Sequence, residues 1–129
     1  MSLQSPLRRV LGLGSARDGT GHWWAQRVSA VALAPLSLWF LVSLLELPGL
    51  DYATVRAWIA QPLDAFFAVL SVAVLATHSY LGTIVVVEDY VHAAGAKLAG
   101  MLTLRFLHVL AGGAGIFAIL YLACGTMRP

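Results

Sequence analysis

Charge is what this sequence has least of. Asp, Glu, Lys and Arg together make up 11% of its 129 residues. A soluble domain carries about 25% charged residues, so a water-exposed globule is excluded. Cysteine is nearly absent as well. Cys124 stands alone, which excludes an internal disulfide and any thiolate cluster for zinc or iron–sulfur chemistry. The eight Lys and Arg residues are scattered and the net charge is only +2, so nucleic acid is not an implied partner. There is no internal repeat and no low-complexity tract. The length leaves no room for a large water-soluble catalytic domain beside a membrane domain.

What is present is apolar. Hydrophobic residues reach 60% and mean hydropathy is +0.82. A bilayer core takes about 20 apolar residues in a helix, and three segments qualify. They run over 28–47, 63–87 and 99–123, so residues 28–129 read as a membrane-anchor domain behind an N-terminal tail, 1–27. The expected fold class is an all-α membrane protein with three transmembrane helices, placed in a multi-subunit bundle. Pro35 lies inside the first span, where membrane helices tolerate a kink. The segment between Pro48 and Pro62 is too short and too polar to cross. Its Tyr52 and Trp58 suit the interface, where amphipathic rings collect, and a short surface helix is expected there.

Basic residues set the orientation. Arg8, Arg9, Arg17 and Arg27 precede the first span, and Lys97 follows the second, with Arg105 just inside the third. The other side has Arg56 and Arg128. The N-terminus is therefore expected on the cytoplasmic side of a bacterial inner membrane, or in the matrix if the protein is mitochondrial. "LGLG" after Arg8 and Arg9 is too short for a signal-peptide core. The arginines and serines of "MSLQSPLRRVLGLGSAR" also suit a mitochondrial presequence, but a cytoplasmic tail is the preferred reading.

Ionisable residues inside spans are costly, so each is a functional candidate. His78 lies about ten residues before Glu88, or about 15 Å at the helical rise, near the bilayer midplane. Gly82 follows at i+4 and Asp89 at i+11, both close to the same helix face. Imidazole is a common axial ligand of haem iron, and a glycine lets a flat macrocycle lie on the backbone. The alternative is that His78 hydrogen-bonds a neighbouring helix and Gly82 aids packing. His108 sits at similar depth, followed by Gly112 and Gly115. Its depth allows a second iron ligand, but a tight packing face with a histidine bonded across it is the preferred reading. Arg27, His22 and Gln26 gather at the inner mouth of the first span. That arginine either pairs with a propionate, quinone or lipid head group or is only a topology signal. Trp23 and Trp24 read as an interfacial belt, and Glu46 and Asp64 as end residues that reach water.

"HSYLGTIVVVEDYVH" resembles a motif of the small membrane-anchor subunit of succinate dehydrogenase (the cytochrome b556 small subunit of respiratory complex II). That family carries a histidine, a glycine four residues on and an Asp-Tyr pair in the second of three spans. Here they are His78, Gly82, Asp89 and Tyr90. "GTGHWWAQRVSAVALAPLSLWF" is similar to the family's first-helix entry.

The resemblance implies a heterotetramer with a larger cytochrome b anchor subunit, an iron–sulfur subunit and a flavoprotein subunit. FAD and iron–sulfur clusters belong to those partners, which oxidise succinate. Haem b is shared between the two anchors, with His78 as one axial ligand and Arg27 near the propionates. Tyr90, with Asp89 close by, would meet ubiquinone. A phenol stays protonated at neutral pH and donates to a carbonyl oxygen, and that bond strengthens as the oxygen gains charge. Two other classes remain: a non-redox structural subunit, and a proton-relay subunit of a transporter using His78 and Asp89.

Overall fold

The computed structural model describes residues 19–125. Arg8, Arg9, Arg17 and Arg128, part of the orientation argument, lie outside them. Among the described residues four helices follow one another: α1 Gly19–Glu46, α2 Tyr52–Ile59, α3 Pro62–Tyr90 and α4 Ala94–Cys124. No strand occurs among the described residues. Three of the helices, over Thr20–Glu46, Pro62–Tyr90 and Ala94–Cys124, are long and apolar enough to cross a membrane. All three exceed the expected spans. α1 begins at Gly19, so the boundary expected after residue 27 falls inside a helix. His22, Gln26 and Arg27 are residues of α1. Polar and aromatic side chains at the interface do not stop a helix, because only Gly and Pro carry a large intrinsic penalty. Pro35 lies within α1 without ending it.

The surface helix expected between the prolines is α2. Asp51 caps it, with Oδ1 accepting from the backbone N–H of Ala53 at 3.0 Å and of Thr54 at 3.1 Å. Thr54 Oγ1 donates to Oδ2 at 2.7 Å. These bonds, led by the Thr54 hydroxyl, favour the ionised carboxylate and hold the Asp51 carboxyl below its usual value. Trp58 turns inward and stacks on Trp39 at 5.9 Å, while Trp39 meets Phe67 at 5.2 Å. Pro62 opens α3 at a position where its missing N–H has no helical partner to lose. The turn between α3 and α4 is only Val91, His92 and Ala93, and Lys97 ties it by donating from Nζ to the Glu88 carbonyl oxygen at 2.6 Å.

α3 is the central helix. It packs against both α1 and α4, whose own backbones stay apart, with no Cα of one within 8 Å of a Cα of the other among the described residues. Small residues set these seams, as expected where lipid removes the hydrophobic drive between helices. A Cβ built on Gly112 would sit 3.1 Å from Ala76 Cβ, and one on Gly115 3.1 Å from Val72 Cγ1. At both glycines an added Cβ would press on α3, so that the neighbouring side chain would have to give by a few tenths of an ångström. Ala68 and Ser29 are buried on the α1–α3 side. Most large apolar side chains, among them Leu45, Phe106 and Tyr121, face outward.

Candidate functional site

Successive residues on α3 point about 100° apart, and this separates its two histidine contacts. His78 turns to α1 and Ser79 turns to α4. On the α1 side, His78 Nδ1 lies 3.0 Å from Ser29 Oγ. The Ser29 hydroxyl also lies 3.0 Å from the Gln26 carbonyl oxygen one turn earlier, to which it donates. His78 Nε2 faces the Gln26 side-chain nitrogen at 3.5 Å, longer than an ordinary hydrogen bond. Gln26 Oε1 and His22 Nε2 are buried and have no partner. Buried polar atoms are nearly always paired, so these two mark ground that the chain's own groups leave unfinished.

A cleft of about 630 Å³ opens beside this cluster. Its walls include Gln26 and Arg27 from α1 and Leu81, Gly82, Val85 and Glu88 from α3. A Cβ on Gly82 would meet only Gln26 Nε2, at 3.5 Å, which is ordinary contact. Unlike Gly112 and Gly115, Gly82 is not pressed by a neighbouring helix; its bare surface is offered to the cleft. Arg27 stands over the Trp23 ring, 5.5 Å from its centroid, and is exposed. A cation–π contact of this kind holds the guanidinium at the cleft without neutralising it. Trp23 itself stacks on Trp24 at 5.9 Å.

Asp89 and Tyr90 end α3 below the cleft. Tyr90 is 78% exposed. Neither its hydroxyl nor the Asp89 carboxylate has a partner among the described residues. Glu88, rather than Asp89, reaches the cleft wall.

His108 lies on the other side of α3. Its Nδ1 donates to the Leu104 carbonyl oxygen at 2.8 Å, and Nε2 lies 3.2 Å from Ser79 Oγ. Tyr80 meets its ring edge-on at 5.8 Å. Both nitrogens are engaged across the α3–α4 seam, and α3 stands between His108 and the His78 cluster. The packing role preferred for it fits this geometry. Arg105 is exposed beside a second opening of about 510 Å³, which Tyr80 and Gly113 also line. No three His, Cys, Asp or Glu side chains gather into a metal-binding group among the described residues.

Sequence reading missed Ser29. The signal was present: His22, Gln26 and Ser29 stand at i, i+4 and i+7, one polar stripe on an apolar helix.

Comparison with known proteins bears on this arrangement. The family described as succinate dehydrogenase/fumarate reductase transmembrane subunit matches residues 1–112. The succinate dehydrogenase hydrophobic membrane anchor subunit of Paracoccus denitrificans is 34% identical over 102 residues, 79% of this chain and 79% of that one. The protein of the same name from Rickettsia bellii is 29% identical over 108 residues, covering 84% and 86%. The succinate dehydrogenase membrane anchor subunit of Reclinomonas americana is 27% identical over 104 residues, covering 78% and 87%. No solved structure matches. With three membrane-length helices and a family match that takes in the whole His78–Tyr90 motif, the chain belongs to the succinate dehydrogenase/fumarate reductase transmembrane subunit family.

Proposed function

We propose that this chain is the small anchor of a succinate:quinone oxidoreductase in a bacterial inner membrane, with its N-terminus and the α3–α4 turn on the cytoplasmic side. It anchors the flavoprotein and iron–sulfur subunits beside a larger cytochrome b subunit. With that subunit it binds haem b and ubiquinone. One observation carries the haem reading: His78 is bonded through Nδ1 while Nε2 faces only a distant amide, next to the bare Gly82 surface and two unpaired buried polar atoms. That donor set fits a haem iron, for which one histidine per subunit suffices.

His78 would supply the axial nitrogen, Gly82 the flat surface and Arg27 the charge partner of a propionate. Haem b, when bound, supplies a one-electron store near the quinone. Tyr90 would donate its hydroxyl hydrogen bond to a quinone carbonyl oxygen. Asp89 would orient that phenol or pass a proton from water. Reduction of a quinone to a quinol takes two electrons from the soluble subunits and two protons from the cytoplasmic side, and the exposed end of α3 gives both routes a meeting place.

The absorption spectrum of the purified complex tests the reading. A reducible b-type Soret and alpha band is expected, lost or altered in His78→Ala because one axial bond to iron is gone. A complex without such bands, or a His78→Ala complex with an unchanged low-spin spectrum, sinks it.

A further inference from the structure

We infer that Ser29 is the positioning residue of the haem ligand, setting which nitrogen of His78 is free for iron and how much electron density it gives. The inference rests on the haem reading of His78. It starts from one hydroxyl with two neighbours. Ser29 Oγ lies 3.0 Å from the Gln26 carbonyl oxygen and 3.0 Å from His78 Nδ1. A serine hydroxyl has one proton and two lone pairs. In the i to i−3 bond common to helical serines, that proton goes to the carbonyl. Oγ is left as an acceptor, so the imidazole must donate, and Nδ1 carries the hydrogen. Nε2 then holds the lone pair. The Gln26 side-chain nitrogen, 3.5 Å away, is a donor that such a lone pair can face.

The placement is built into the fold. Ser29 is 8% exposed and is the buried polar residue of the described chain. It is anchored by its own helix and cannot swing freely. Gln26 is held differently. At 3.5 Å its amide grips Nε2 weakly, and its oxygen has no partner at all. Ser29 is therefore the fixed contact of the ring and Gln26 the one that yields when Nε2 takes another ligand.

A metal-bound histidine that donates its second N–H is held in one tautomer and becomes a more basic ligand. A more basic ligand favours ferric over ferrous iron. Loss of the Ser29 acceptor should therefore raise the haem midpoint potential, free the ring to rotate and loosen the haem.

Ser29→Ala, Ser29→Thr and the control Ser71→Ala are compared in the purified complex. Ser71 makes the same kind of bond to its own helix, to the Phe67 carbonyl oxygen at 2.7 Å, on another part of α3. Three readouts apply: midpoint potential, low-spin EPR g values, and the rate of haem transfer to apomyoglobin. Ser29→Ala is expected to raise the potential, shift the g values and speed haem loss by about tenfold or more. Ser29→Thr keeps the acceptor and should restore all three; Ser71→Ala should change none. Wild-type values in Ser29→Ala overturn the inference, as does an equal change in Ser29→Thr or Ser71→Ala. A wild-type complex without haem, or a His78→Ala complex that keeps it, instead defeats the haem reading, and is seen before any serine variant is made.

Discussion

Replacing Tyr90 by phenylalanine removes one hydroxyl and keeps the ring. The side chain is 78% exposed, and its hydroxyl has no partner among the described residues. No bond within the chain is lost, so the cost to the fold should be close to zero. Any effect then belongs to what the hydroxyl meets outside the chain. A neutral hydrogen bond contributes about 0.5–1.5 kcal/mol net, and one to a charged oxygen roughly twice that. Each 1.36 kcal/mol in a barrier is about tenfold in rate. Succinate–quinone turnover should therefore fall about tenfold or more. Electron transfer from succinate to an artificial acceptor at the soluble subunits should be nearly unchanged. Measuring both activities on one preparation of the complex separates the cases. Equal loss of both means that Tyr90 holds the subunits together. Unchanged turnover places the quinone head elsewhere, on the partner anchor, and refutes the role given to this hydroxyl.

Three further outcomes follow from the same geometry. His108→Ala should leave the haem spectrum unchanged and lower the thermal stability of the complex by the ~1–3 kcal/mol typical of an orphaned polar partner, since Ser79 loses its bond across the seam; a lost haem band would show the wrong histidine has been named. Gly112→Ala should destabilise the α3–α4 contact by about 1–3 kcal/mol relative to Gly113→Ala, because the new Cβ meets Ala76 Cβ at 3.1 Å at one position and nothing within 4 Å at the other. Helix propensity cancels between the two, so equal denaturation midpoints would contradict the packing. A cysteine placed at exposed Gly95, in a background where Cys124 is serine, should be labelled by an impermeant thiol reagent from the cytoplasmic side; labelling only from the periplasm would invert the proposed topology.

Much of the fold was legible because a bilayer makes length and hydropathy nearly sufficient. Every backbone polar group in hydrocarbon must be bonded inside the protein, and a continuous apolar run of about 20 residues does so within itself as a helix. Pro48 and Pro62 bracket the short surface helix, and Asp51 supplies its cap. The relation of His78, Gly82, Asp89 and Tyr90 was equally local, since one helix and its period define it. Helix ends were less legible. The first span is expected only after Arg27 because the polarity of His22 to Arg27 marks the edge of the hydrocarbon, which is not the edge of a helix.

The sequence by itself thus determined three spans and the stripe on the second of them. It did not determine which helix stands in the middle, because helices apolar all round carry no stripe to show which face meets a neighbour. Rotation about each axis is decided by close contacts between small residues, here Gly112 on Ala76 and Gly115 on Val72. Those contacts turn Ser79 to His108 and leave His78 for Ser29, a residue 49 positions away in the chain. They also sort the glycines, two filled by packing and one, Gly82, open to the cleft. Only the packed helices make that distinction, since the same residue type at similar spacing from a histidine serves both ends.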